Sequence, residues 1–378
     1  MSTKPRQIPW AADPHTKAKH ALYDRYLSKW SPIMLRGWGA NITYAEGFAG
    51  PGVYKDGAPG SPVIALRSVL GDPELRALVA RGRMRFVFID HEPRCIEILR
   101  GEVSKAVAPV AVNDLSAHGF DLTIERGDCD PALDDELTKA GAWGRPILAV
   151  LDTWGGSVPA SLVAKVANNG NFEVIITMQP QYFLRFAKVE EIDHGDKVFG
   201  NQGWRRVAEQ PSADKERWLL QLYRGTIRSA GFTHVLDFEL VDTSGQSLYL
   251  IFGTSHERGL QKMKEAMWEV DSVGGVGYRD PRDPHQQTLE IELEPQTAPL
   301  RRLLRAYLET QPQQTSTIYG LRRFALYQTI YKESQVLPVV RDMLTDGELT
   351  APAAQSRQPT FSDSVTLNRP RGNDPDHE

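Results

Sequence analysis

Apolar positions recur along this chain with two periods. Through residues 14–36 they fall at Ala18, Leu22, Tyr26 and Ile33, roughly one face of a helix, with Lys and Asp residues opposite. Ile42-Thr43-Tyr44-Ala45-Glu46 then reads as a short strand that runs into a glycine-rich turn, and residues 53–62 as a Gly/Pro-rich loop. Helices are predicted from Pro62 to about Leu70 and from Pro73 to Arg81. The apolar runs Arg85–Asp90, Pro146–Asp152 and Phe172–Met178 are continuous rather than alternating, as strands are when both faces of a parallel sheet are covered. Phe120–Glu125 is a weaker strand of the same kind. Helical patterns over Pro93–Ala106 and Pro159–Ala167 separate them, and this alternation predicts a doubly wound parallel sheet.

Residues 180–211 break the rhythm. They are aromatic, charged and punctuated by glycine, and read as an insertion whose Tyr182, Phe183, Phe186, Phe199 and Trp204 serve as a lid, a partner surface or ordinary core. A helix over Asp214–Ala230 follows. The strands His234–Val241 and Ser247–Gly253, joined by a turn at Asp242–Gly245, then close the sheet as an antiparallel pair, and Glu257–Val270 is helical. The first domain is thus expected over 1–271, with a linker over 272–298. Three short helices (Leu300–Leu308, Gly320–Gln328, Ser334–Leu344), a turn at Asp346-Gly347 and the strand Glu348–Thr350 give a winged-helix rhythm over 299–352. The polar, proline-bearing tail 353–378 is expected to be disordered.

Composition narrows this picture modestly. The 378 residues carry a formal net charge of -4, which argues against a protein that coats nucleic acid non-specifically while leaving a local basic groove open. Two cysteines, Cys95 and Cys129, are too few for a disulfide framework or a Cys-rich metal site. No run approaches the ~18 apolar residues that span a bilayer, so a soluble cytoplasmic protein with no membrane partner is expected. The HExxH, GxSxG and P-loop patterns are absent, which leaves zinc, serine and ATP hydrolysis without support.

The candidate chemistry lies where strands end. In Glu46-Gly47-Phe48-Ala49-Gly50-Pro51-Gly52 the glycines let backbone approach a ligand closely, which serves a nucleotide or S-adenosylmethionine (SAM) equally. Pro51 is unlike the dinucleotide fingerprint. Asp90, ending its strand, can accept from both hydroxyls of a ribose. Asp128, in Gly127-Asp128-Cys129-Asp130, can accept from an adenine amino group or simply belong to an Asp-rich turn. Asp152 and Trp154, in Leu151-Asp152-Thr153-Trp154-Gly155-Gly156, can hold a substrate amine and stack on its ring, or Asp152 can cap the next helix. Lys19 and His20, in His15-Thr16-Lys17-Ala18-Lys19-His20, can pair with the carboxylate of SAM or form a solvated helix face.

Three long blocks in order, HTKAKHALYDRYLSKW, YAEGFAGPGVY with GAPGSPVIAL, and GTSHERGLQKMKEAMWEVD, resemble the three-Cys-motif partner family, TcmP, over about 15–271. The first blocks are also similar to the large-ribosomal-subunit adenine-N6 methyltransferase J family. The resemblance implies a Rossmann-like SAM methyltransferase sheet. It implies Lys19 and His20 near the methionine moiety, Phe48 and Gly50 lining the cofactor, Asp90 on the ribose, and Asp152 orienting an exocyclic amine. It also implies a partner with a three-cysteine motif, resembling a radical-SAM-type protein. The chain departs from both families at Asp152-Thr153-Trp154-Gly155, which stands where one has Asp-Pro-Pro-Tyr and the other tends towards Asp-Pro-Phe-Gly. Three readings follow: a SAM-dependent methyltransferase acting on a nucleobase amine, a non-catalytic binding or scaffold protein for the three-Cys partner, or a nucleotide-processing enzyme on a similar fold.

Overall fold

The computed structural model describes residues 7–12, 14–37, 41–153, 158–169, 171–189, 193–241, 246–272, 277–279, 297–351, 360 and 363–368. The chain divides into two compact units, one of residues 1–270 with 276–289, the other of 271–275 with 290–378.

In the first unit α1 (Pro14–Gly37) leads into β1 (Asn41–Glu46), then α2 (Ser61–Gly71), α3 (Pro73–Val79), β2 (Arg83–Asp90), α4 (Pro93–Val107) and β3 (Phe120–Arg126). There follow α5 (Cys129–Lys139), β4 (Ile147–Leu151), α6 (Ala160–Ala167), β5 (Phe172–Met178), α7 (Pro180–Phe186), α8 (His194–Phe199) and α9 (Lys215–Ala230). The closing elements are β6 (His234–Val241), β7 (Ser247–Thr254), α10 (Glu257–Val270) and β8 (Gly277–Arg279). Among the described residues eight strands form one sheet in the order β3-β2-β1-β4-β5-β7-β6-β8. Strands β1 to β5 are parallel, whereas β7 runs antiparallel to β5 and to β6. This is the Rossmann-like sheet of methyltransferase type. The strand order reverses between β1 and β4, where such sheets open a crevice at the carboxyl ends of the strands.

The continuous apolar runs have their cause in this arrangement, because every residue of β4 and β5 is buried, with one core on each face. One core packs α1, α2, α4 and α10 against the sheet through Leu22, Tyr26, Trp30, Leu66, Leu99 and Met263. The other packs α5, α6 and α9 through Leu133, Val163 and Leu219. The aromatic insertion joins this second core: Phe183, Phe199 and Trp204 are buried and meet one another at ring separations of 5.1–6.0 Å. Trp204 donates its ring N–H to Asp196 at 2.6 Å, and the Asp196 carboxylate also holds Arg205. Of the three readings of that insertion, core packing describes those three rings. The strand β8 lies within the expected 272–298 linker; its three residues pair with β6 in parallel, and no periodicity is legible over so short a stretch.

The second unit comprises α11 (Ala298–Thr310), β9 (Thr315–Thr317), α12 (Ile318–Gln328), α13 (Glu333–Thr345), β10 (Leu349–Thr350) and β11 (Ser364–Leu367). That is a winged-helix order, with the small sheet arranged β10-β11-β9. The expected disorder of the whole 353–378 tail is corrected here. Ser364–Leu367 is the central strand, its Val365 buried and its ladder antiparallel to both neighbours. Partners on both sides satisfy a backbone that four residues, alternately polar and apolar, could not order alone. Among the described residues no helix is long and apolar enough to cross a membrane.

Candidate functional site

The glycine turn leaves β1 at the point of strand reversal. Gly50 and Gly52 stand at φ +62° and +71°, the left-handed region where a side chain is strained. Gly52 also accepts from Gly60 N–H at 2.8 Å, and a Cβ on Gly60 would come within 3.0 Å of the Gly52 backbone. The loop between them is therefore pinned shut, and Ser61 is placed at the start of α2. Gly50 N–H donates to Asp90 Oδ2 at 2.8 Å, and Glu92 N–H to Oδ1 at 2.8 Å. Asp90 thus ties the turn to the end of β2 while retaining lone pairs on both oxygens. Gly127 N–H donates to the Asp90 carbonyl at 3.1 Å, which brings the end of β3 alongside. Asp128 is exposed there and opens α5. Phe48 is half-buried and packs against the second core, and Gly47 lies so close to Cys129 Sγ that a Cβ would fall 2.4 Å from it.

α1 crosses this edge. Lys19 is not on a solvated face: its Nζ meets Asp152 Oδ2 at 2.5 Å, with the two side chains only 12% and 15% exposed. Tyr23, one turn on from Lys19, is buried with its hydroxyl towards Asp152, yet reaches no partner in full hydrogen-bond geometry. Burial and then the Asp152 charge raise its pKa well above that of a free phenol. Glu46 is fully buried beside this group and accepts from Tyr44 Oη at 2.8 Å and Ser61 Oγ at 2.7 Å. Its pKa is pushed up to about 8, chiefly by burial and further by Asp152, against the pull of its two hydroxyl donors and Lys19. Its carboxyl therefore holds its proton to higher pH than a free glutamate does.

His20 is 3.3 Å from Tyr54 Oη and packs against the rings of Tyr23 and Tyr54. Burial, then the charge of Lys19, lower its pKa to about 3, so the ring is neutral. Of the two α1 residues proposed to meet a carboxylate, Lys19 alone brings positive charge. Trp10 packs edge-on to Tyr54 and lies 3.4 Å from where a Gly50 Cβ would stand, covering the turn from the other side.

Lys19, His20, Glu46, Phe48, Gly50, Gly52, Asp90, Asp128 and Asp152 thus all border the carboxyl edges of β1 to β4. Trp154 lies outside the described residues. Beyond Asp152 the chain is held by Thr177, whose hydroxyl donates to the Thr153 carbonyl at 3.1 Å. Sequence reasoning missed Tyr23, Tyr44, Ser61, Tyr54 and Trp10. The i, i+4 spacing of Lys19 and Tyr23 was the available signal for one of them.

No family model and no curated protein matches the sequence. Among solved structures it is similar to Trm1 from Pyrococcus horikoshii in complex with S-adenosyl-L-methionine. The TM-score is 0.37 and the identity 8%, over 97% of this chain and 94% of that one. That likeness is too distant to bear on the site.

Proposed function

We propose that this edge of the sheet binds SAM and that the chain is a SAM-dependent methyltransferase acting on an exocyclic amine of a nucleobase. The observation that carries the reading is the tie from Gly50 N–H to Asp90 at the strand reversal, because it sets an open glycine turn and a ribose-competent carboxylate at one crevice. The Tyr23 hydroxyl, turned towards Asp152, and the Lys19 ammonium are buried donors that fit the amino-acid end of such a ligand. Bound SAM supplies an electrophilic methyl group. The chain supplies position: Gly50 and Gly52 admit the ligand, Asp90 accepts from its sugar, and Asp152 accepts from the amine through the oxygen that Lys19 does not occupy.

A second reading is a binding protein that retains the fold without transferring methyl. It is favoured by the polar groups at the acceptor position already having partners, Asp152 in Lys19 and the Thr153 carbonyl in Thr177. On the blocks that resemble TcmP, either form would act with a three-cysteine-motif protein. Calorimetric titration with SAM and S-adenosylhomocysteine tests the foundation of both. Wild type is expected to bind each, and Gly50→Trp neither. No heat from wild type with either ligand ends the SAM reading.

A further inference from the structure

The C-terminal unit carries a surface that the SAM reading does not use. α12 presents Tyr319, Arg323 and Tyr327 at intervals of four residues, so they stand in one row along the helix. Tyr319 is 56% exposed and Tyr327 40%. The Arg323 guanidinium lies between them, 5.8 Å from the Tyr319 ring centroid and 4.4 Å from that of Tyr327, and donates to the Tyr327 hydroxyl. Beside this row Phe324 stacks on Tyr307 of α11, centroids 4.3 Å apart and planes 20° from parallel. Leu303, one turn before Tyr307, is 39% exposed. Large side chains exposed together in this way mark an interaction surface more often than a solvated face.

Charge indicates the occupant. α11 and α12 carry Arg301, Arg302, Arg305, Arg322 and Arg323 against one acid, Glu309. Arg301 pairs with Glu348 and Asp346, Arg305 with Glu348 and Arg322 with Glu333, so three of the five are balanced within the unit and Arg302 and Arg323 supply the cationic character of the face. Arg302 is exposed beside Leu303. α13, which occupies the position of the groove-entering helix in winged-helix proteins, exposes Ser334, Pro338, Arg341, Asp342 and Thr345. One cation against one acid gives that helix little attraction for duplex phosphates. Rings and arginines coincide on α11 and α12 instead. Flat faces interleaved with a guanidinium suit unpaired bases, which stack on aromatic rings while cations follow the backbone.

We propose that the Tyr319–Arg323–Tyr327 row, with the Tyr307–Phe324 pair, is a stacking platform for unpaired bases of single-stranded nucleic acid. The proposal deepens the reading of a nucleobase acceptor, but its test uses no cofactor, so each can fail alone. The full-length protein is titrated, without SAM, into a fluorescein-labelled oligouridylate of about 15 nucleotides, free or annealed to its complement, with anisotropy as the readout. The single strand is expected to bind at least about tenfold more tightly than the duplex, and Tyr319→Ala/Tyr327→Ala to lose about tenfold or more of that affinity. Tyr319→Phe/Tyr327→Phe, which keeps both rings, should bind as wild type does. Arg323→Gln should flatten the dependence on salt by about one released ion. Failure of wild type to bind the single strand, equal binding of the duplex, or an unaffected alanine double variant each overturns the proposal. Concentration-dependent self-association that the alanine variant abolishes, without any oligonucleotide binding, would assign the face to protein contact and overturn it too.

Discussion

Two glutamates lie buried under the same helix, and their surroundings differ in kind. Glu173, second residue of β5, accepts from Tyr26 of α1 at 2.5 Å and from Thr254 of β7 at 2.8 Å, and the trio is complete. Glu46, last residue of β1, also holds two hydroxyls, but its neighbours are the Lys19–Asp152 ion pair and the Tyr23 hydroxyl. The first arrangement closes on itself and fastens α1, β5 and β7 together. The second sets the Tyr23 hydroxyl, turned towards Asp152 but short of full hydrogen-bond geometry, beside a buried charged pair. The contrast accords with the site proposed above, where charge as well as hydroxyls is buried.

The largest test of the contrast is Glu173→Ala, which strips Tyr26 and Thr254 of their acceptor. It should cost about 3 kcal/mol or more in urea unfolding while leaving the affinity for S-adenosylhomocysteine unchanged. A folded variant with impaired ligand binding would erase the distinction. Next is pH. Burial raises Glu173 to about 7 and Glu46 to about 8, from 4.5 in each case. Because the folded state holds both protons longer than the unfolded chain does, their stabilising share is full below pH 4.5 and is lost as pH rises. That loss should amount to a few kcal/mol for each and end near pH 7 for Glu173 but near pH 8 for Glu46. Glu46→Gln should therefore flatten the slope between pH 7 and 8, where Glu173→Gln has little left to change.

A sharper comparison uses one chemical change at two places on α1. Tyr26→Phe should destabilise the fold by about 1–2 kcal/mol, because Glu173 loses a donor, whereas Tyr23→Phe should be close to neutral. Only Tyr23→Phe is expected to weaken binding at the proposed SAM site in calorimetry. The smallest effect is Ser61→Ala, about 1 kcal/mol, with the Glu46 pKa moving further up for want of one hydroxyl donor.

Much of this was legible beforehand. The runs of β2, β4 and β5 are apolar throughout because helices cover both faces, and Gly50, Asp90 and Asp152 stand at strand ends, where this fold opens. What the sequence concealed depended on tertiary placement. Lys19 reads as a partner for a SAM carboxylate or as a solvated residue, and only β4, delivering Asp152 beneath it, supplies the partner it has. Tyr23 is one apolar position among many on α1, and its hydroxyl matters only in relation to that carboxylate. Glu46 is a strand-end acid by position, and burial raises its pKa. Ser364–Leu367 offers too little pattern to predict a strand, and only β9 and β10 on either side make it one.

That last strand bears on the order in which the C-terminal unit assembles. Thr315 meets Thr366 across 51 residues, hydroxyl to hydroxyl at 2.8 Å. Helices α12 and α13 can form and pack from local contacts alone. The sheet must instead wait for a long excursion of chain to return, at a cost in loop entropy incurred before any ladder bond rewards it. The unit should therefore fold in two kinetic stages, helices early and wing late. Until the second is complete, the edges of β9 and β10 that β11 covers stay unpaired, the form in which a small domain is most exposed to exchanging a strand with its neighbour.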